Sequence, residues 1–289
     1  MQRTTNLLKP LALILVLFIS PLAKAGSITW ADTGKSLADA KWEIGAIAGG
    51  ITYLGAKEWN WGSSSFKFNE EGWFGMDTGS GGVDKLGHMY SSYLITEAIG
   101  HGLSRNNEAD FAATYSALWA SSLMLYVELF DGYSADHGFS YEDVVFNSTG
   151  IALSYFRTRY PELKQLVDYR LDYIPSKAMK GFHPVTDYTG MRYLLAFKAA
   201  GVPKLKKTPL RYLELNLGYS AQGFKAADAP YFPERETELF VGISLNLDEL
   251  IFKPFARQLG AVGKYGSTLS HYYQPRGSYL KSPLHERAE

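Results

Sequence analysis

Apolar positions recur at helical spacing along the first half of the chain and alternate along the second. Residues 42–59 place Trp42, Ile44, Ile47, Ile51 and Leu54 among small Ala and Gly residues. This pattern suits either a membrane helix or a soluble helix that packs closely on a neighbour. A loop over 60–82 follows, rich in Gly, Ser and aromatics, and too aromatic for a simple linker. Helices are predicted over 83–103 and 107–130. The second carries no charge from Phe111 to Val127, enough length to cross a bilayer or to form the centre of a bundle. Another helix opens at Ser140, a good N-cap with Asp143 at the third helical position. It ends in the charged run 157–164 with Pro161, and a short helix is expected within 166–180.

The period then changes. Residues 192–198 read as a strand, and 202–209 as a turn with Lys204, Lys206 and Lys207. Residues 212–219 and 238–247 alternate, aligning Leu213, Leu215 and Leu217 with one another and Leu239, Val241, Ile243 and Leu245 likewise. The pair predicts an antiparallel hairpin. The tail from Lys253 holds a helix and a polar end, and 26–41 reads as a linker. The expected fold is therefore α+β: a mostly α-helical bundle over about residues 42–180, then a small antiparallel β-sheet over about 188–250. Three or four strands are too few to close a membrane barrel, which takes about eight.

The first 25 residues change the picture of location. Arg3 and Lys9 precede an apolar run from Leu11 to Ile19, and Ala23-Lys24-Ala25 forms a small-residue cleavage site. This is the make-up of a signal peptide, 1–25, and the apolar run is too short for a membrane anchor. The domain plan that follows is 1–25 signal peptide, 26–180 helical domain and 181–289 β-rich region with a polar tail. The whole chain has formal charge +0; losing Arg3, Lys9 and Lys24 leaves 26 of the 29 basic residues against 29 acidic, a net −3. No basic field points to nucleic acid. There is no cysteine, which excludes disulfides, a thiolate nucleophile, Cys-ligated zinc and acylation at an N-terminal Cys. Export together with amphipathic strands indicates the periplasm or outer membrane of a Gram-negative envelope, with the inner membrane as alternative.

Candidate chemistry lies between Asp84 and Gly150. Asp84 and His88 are four apart, with Lys85 between them. Glu128 and Asp131 are three apart, and Asp143, Asn147 and Gly150 follow at four and three. Each group shares one helix face, so three helices each offer a polar stripe that packing can bring together. Asp84 and Asp143 have capping roles as alternatives. Glu128 and Asp131 close a helix whose dipole disfavours acids there, so they call for a cation, a hydrogen-bond partner or a shared proton. Asn147 is a poor helix-interior residue in an apolar stretch and is expected to bond to a neighbouring helix. Glu97 and His101 lie on roughly the opposite face and read as a solvated pair.

The combination Asp84-Lys85-x-Gly87-His88, Glu128-x-x-Asp131-Gly132 and Gly138-Phe139-Ser140-x-x-Asp143-x-x-x-Asn147-x-x-Gly150 resembles the uncharacterised YfiM-like family of predicted periplasmic proteins and lipoproteins. Asp187-Tyr188-x-Gly190, Leu217-Gly218-Tyr219-Ser220-Ala221 and Gly242-x-Ser244-Leu245-Asn246-Leu247 are similar to its longer members. Asp84, Lys85, His88, Glu128, Asp143, Asn147 and Gly150 also resemble the pattern of the VanZ-like membrane family, from which the signal peptide and β-rich region depart. Neither resemblance implies a substrate or cofactor.

Three readings stand. In the first, this is an exported, membrane-associated envelope protein whose cluster of Asp84, Lys85, His88, Glu128, Asp131, Asp143 and Asn147 serves structure or interaction. The expected partner is a membrane lipid or envelope component. In the second, His88, Glu128 and Asp131 are catalytic groups of a hydrolase or transferase acting on a lipid or glycolipid. No G-x-S-x-G elbow is present to supply a serine nucleophile. In the third, His88 and the carboxylates hold a metal, although no H-E-x-x-H pattern marks one.

Overall fold

The computed structural model describes residues 28–179 and 185–288. The signal peptide expected over 1–25 lies outside the described residues. The helices are α1 Trp30–Asp39, α2 Lys41–Lys57, α3 Val83–Leu103, α4 Ala109–Asp131, α5 Tyr141–Arg159, α6 Pro161–Leu166 and α7 Ala256–Ser270. The strands are β1 Val167–Tyr173, β2 Met191–Lys198, β3 Leu213–Gln222, β4 Glu236–Leu245 and β5 Tyr279–Ala288. The helices-first, sheet-after order makes the fold α+β. The described residues divide into two compact units: a helical unit of residues 28–71 and 88–160, and a sheet unit of residues 72–87, 161–179 and 185–288.

In the helical unit, α1 replaces the linker expected over 26–41. Thr29 caps it, its Oγ1 accepting from the Asp32 N–H at 3.0 Å. Ser36, buried on its inner face, accepts from the Trp119 indole N–H at 3.0 Å. The core joins Ile44 and Ile51 of α2, Ile99 and Leu103 of α3, and Tyr115, Leu123, Met124 and Val127 of α4. Residues 42–59 and 107–130 thus find their apolar partners within the protein. Among the described residues no helix is long and apolar enough to cross a membrane. Part of the aromatic loop lies on this unit: Trp61 packs on Trp59, Tyr126 and Phe130, with ring centroids 5.1–5.6 Å apart.

Helices α3 and α5 come together at Gly150. A Cβ there would lie 2.0 Å from the Met89 carbonyl oxygen, so the helix backbones touch where any other residue would hold them apart.

The sheet unit is a five-stranded antiparallel meander in the order β1-β2-β3-β4-β5. The expected hairpin is β3–β4, with Leu213 opposite Leu245 and Leu217 opposite Val241. The sheet extends further on both sides than alternation indicated. The short helix expected within 166–180 is not found among the described residues: α6 ends at Leu166, and Val167–Tyr173 is a strand whose Asp168, Arg170 and Asp172 turn inward to polar partners rather than apolar ones. The polar tail forms β5 along β4. Residues 272–274 flank the other edge: the Leu171 N–H donates to the Tyr272 carbonyl and the Gln274 N–H to the Leu171 carbonyl, both at 2.9 Å. The Tyr279 hydroxyl of β5 donates to Asp172 of β1 at 2.7 Å. Contact between the first and last strands requires the sheet to curl around its Asp168 face.

Gly150→Ala is expected to lower stability by about 1–3 kcal/mol through forced separation of α3 and α5, measured as a drop in the urea midpoint followed by tryptophan fluorescence.

Candidate functional site

Helices α3, α4 and α5 of the helical unit bring four predicted residues together. Glu128, in the last turn of α4 and only 1% exposed, accepts from the Asn147 Nδ2 of α5 at 2.8 Å. Its Oε1 also lies 3.3 Å from His88 Nδ1 of α3. The other ring nitrogen, Nε2, is 3.8 Å from Asp143 Oδ2 of α5. The imidazole therefore stands between two buried carboxylates, while its side chain keeps 24% exposure. Ser140 caps α5 as expected, its Oγ accepting from the Asp143 backbone N–H at 3.2 Å. Burial pushes the Glu128 carboxyl up to about 7, against the opposing pull of His88. A carboxylic acid poised near neutrality beside an imidazole is a pair able to exchange a proton.

Asp131, one turn beyond Glu128, faces elsewhere. Its Oδ1 accepts from the Trp61 indole N–H at 2.6 Å. Burial raises its carboxyl pKa, and the Trp61 hydrogen bond opposes the rise. The indole dipole is thus part of what offsets two acids at the end of α4. Asp84 and Lys85 fall in the sheet unit. Lys85 Nζ lies 3.0 Å from Asp84 Oδ2, and the Ser80 hydroxyl also donates to Asp84.

Glu97 is not the solvated partner of His101. It is 6% exposed and accepts from Arg157 Nε at 3.2 Å and Ser154 Oγ at 3.4 Å. The buried Arg157 guanidinium also stacks over the Tyr93 ring at 5.4 Å. A signal for this was present in the sequence. Asp143, Asn147, Gly150, Ser154 and Arg157 follow at four, three, four and three, so the polar stripe of α5 runs on for two more turns.

The sheet unit holds a second buried polar cluster that the alternating pattern did not reveal. Asp168 meets Lys198 Nζ and an Arg170 nitrogen, each at 2.7 Å, and His271 Nδ1 at 3.1 Å. Arg170 grips Glu214 with two nitrogens, at 2.7 and 2.9 Å, and donates to Gln274 at 2.8 Å. Asn216 donates to Ser244, which donates to Glu214. Burial alone would raise the Asp168 carboxyl, but the His271 hydrogen bond and the Lys198 and Arg170 charges hold it well below the usual carboxylate range.

A family model described as "Predicted periplasmic lipoprotein (DUF2279)" matches residues 70–159. That is about a third of the chain, and it contains every residue of the helical cluster. Comparison with curated proteins gives no match, nor does comparison with solved structures.

Arg157→Ala leaves the Glu97 carboxylate buried without its cation and is expected to cost about 3–5 kcal/mol. The Glu97→Gln/Arg157→Met double variant is expected to recover most of that loss in the same unfolding experiment. For the sheet unit, the depressed Asp168 pKa contributes stability that is fully present above the unfolded carboxylate value of about 4 and lost as pH falls through the folded value. Urea midpoints are expected to fall below pH 4, with a shallower fall in Asp168→Asn; equal acid limbs in the two proteins would contradict this.

Proposed function

We propose that this is an exported envelope protein that works at a membrane surface, meeting lipid through the outer face of its sheet. The observation that carries the reading is the inverted polarity of much of that sheet, whose outer face is covered at Tyr169, Leu171 and Tyr193 but open elsewhere. Its inner face buries Asp168, Arg170, Asp172, Lys198, Glu214 and Asn216, while Phe197, Leu215, Leu217, Ile243, Leu245 and Leu280 lie 40–83% exposed on the outer face. Leaving apolar area in water forgoes roughly 25 cal/mol per Å², and an apolar surrounding recovers it. In α7 of the same unit, Val262, Tyr265 and Leu269 recur at helical spacing and are 58–72% exposed.

Charge supports lipid over a second copy of the chain as the occupant. The β2–β3 connection, at the strand ends that carry Phe197, Leu213 and Leu245, holds exposed Lys204, Lys206 and Lys207. Such a basic cluster beside an apolar face suits anionic headgroups and would repel a copy of itself. The signal sequence at 1–25 and the periplasmic description of the matching family support export. The lipoprotein part of that description has no counterpart here, since no cysteine is present to carry an acyl chain.

In the same reading the His88, Glu128, Asp143 and Asn147 cluster locks three helices in one arrangement. Hydrolysis or transfer on a lipid or glycolipid is the second reading. It is favoured by a Glu128 carboxyl near neutrality next to a partly exposed His88.

Flotation of the chain from Gly26 on with vesicles tests the membrane reading. Binding is expected to vesicles containing phosphatidylglycerol, with at least tenfold less to pure phosphatidylcholine and at least tenfold less for Leu215→Glu/Ile243→Glu. Wild type that stays at the bottom of the gradient overturns the reading. So does a dimer in solution that the same double substitution dissociates.

A further inference from the structure

One end of the curled sheet is open. There β1, β3 and β5 end and β2 and β4 begin. A cavity of about 970 Å³ lies among these strand ends and the neighbouring segments 174–177 and 230–232. Sites for small molecules are of this size, roughly 300–1,000 Å³. The walls are mixed. Ile174, Tyr231 and Phe232 bring apolar surface, while five bases and three acids line the rest among the described residues.

Not every base is answered by an acid. Lys281 pairs with Glu238, and Gln222 donates to Glu236. Glu286, the third acid, is exposed and lies opposite Glu238 across the β4–β5 pair. Arg276 holds Asp172 through Nε at 3.0 Å and the Gly190 carbonyl through Nη2 at 2.7 Å. The Tyr279 hydroxyl donates to the same Asp172 at 2.7 Å. Arg192, on the inner face of β2 with Lys198, makes one long contact, from Nη1 to that hydroxyl at 3.5 Å. Among the described residues it has no carboxylate within salt-bridge distance. Two guanidinium groups are thus tied to one Asp172–Tyr279 pair, and one positive charge is left over in a half-enclosed place. A cation partly removed from water calls for an anion.

We propose that this cavity binds the phosphate group of an organic phosphate ester, held by Arg192 and Arg276, with the apolar wall taking the rest of the molecule. A guanidinium presents a planar fork of N–H donors that engages two oxygens at once. The three free oxygens of a phosphate monoester serve two forks, whereas the two of a carboxylate are used by one. Arg276 has Nη1 to offer, since its Nε and Nη2 are engaged. The site belongs wholly to the sheet unit and to the inner side of the sheet, so it does not rest on the outer face's meeting lipid. Soluble phosphate esters and phospholipids share this head group. They differ in the apolar body they bring to Tyr231 and Phe232.

The test is calorimetric titration of the chain from Gly26 on with glycerol 3-phosphate and, separately, with dihexanoyl phosphatidic acid below its critical micelle concentration. One equivalent per chain is expected for at least one of them. A phosphatidic acid affinity tenfold or more above that for glycerol 3-phosphate makes a phospholipid the source of the head group, and a smaller difference makes it a soluble ester. Arg192→Gln is expected to weaken binding at least tenfold while Tm stays unchanged or rises, because no ion pair is lost. Folded wild type that binds neither compound overturns the proposal, as does unchanged affinity in folded Arg192→Gln. Acetate that competes as well as inorganic phosphate overturns the phosphate assignment. If Arg192→Gln loses its circular dichroism signal, Arg192→Lys, which keeps the charge and loses the fork, decides: at least threefold weaker binding is expected, and unchanged affinity overturns the role of Arg192. Both probes are soluble and need no vesicle, so this outcome and the flotation result can each fail while the other holds.

Discussion

Backbone contact between α3 and α5 at Gly150 sets the geometry of the helical unit. With no side chain there, the Met89 carbonyl of α3 comes to a distance that no Cβ could share. Met89 follows His88, and Asn147 lies one turn before Gly150, so the close approach is what brings the imidazole and the α5 stripe into register. Glu128 completes the arrangement from α4, and its burial has a cost that Asn147 and His88 offset. Two turns further along the same seam, Glu97 and Arg157 repeat the solution in a simpler form, one buried acid with one buried base. Helices held this closely can keep several ionisable groups out of water without leaving them unanswered.

The sheet unit solves a related problem with the polarity turned round. Its inner face is lined with charges whose partners are all near: Asp168 with Lys198, Arg170 and His271, Glu214 with Arg170, and Asp172 with Arg276 and Tyr279. Leu194, Phe240 and Tyr279 form only a small apolar cluster inside. A sheet with this interior takes its specificity from directional bonds, and part of its apolar surface, Leu215, Leu217 and Ile243 included, is left for whatever lies outside. The curl that places Tyr279 of β5 against Asp172 of β1 is what shields those charges from water. A flat sheet of the same sequence would leave them open.

Much of this architecture was legible in the chain. Helical period marked 42–59, 83–103 and 107–130 closely, since each helix buries a continuous apolar face, and Ser140 announced α5 by its capping chemistry. Alternation marked β3 and β4. It missed β1, because a strand whose inner positions are Asp168, Arg170 and Asp172 breaks the rule that inward means apolar. It missed β5, whose residues are almost all exposed. The linker reading of 26–41 failed because α1 is short and polar, and is held by a cap and by Ser36 meeting Trp119 rather than by an apolar stripe.

Spacing within single helices determined which polar residues share a face: Glu128 with Asp131, and Asp143 with Asn147 and Gly150. It also determined the order of helices before strands. Spacing carries no information about which faces meet, because that depends on side chains far apart in the chain competing for the same partner. Only the tertiary structure decided that Glu128 turns to His88 and Asn147 while Asp131, one turn away, turns to Trp61. It likewise decided that Glu97 points inward to Arg157, and that the leucines of β3 face outward while its Glu and Asn are buried. The physical reason is the same in each case. A buried charge settles where its partners are, and those partners come from other elements of the fold.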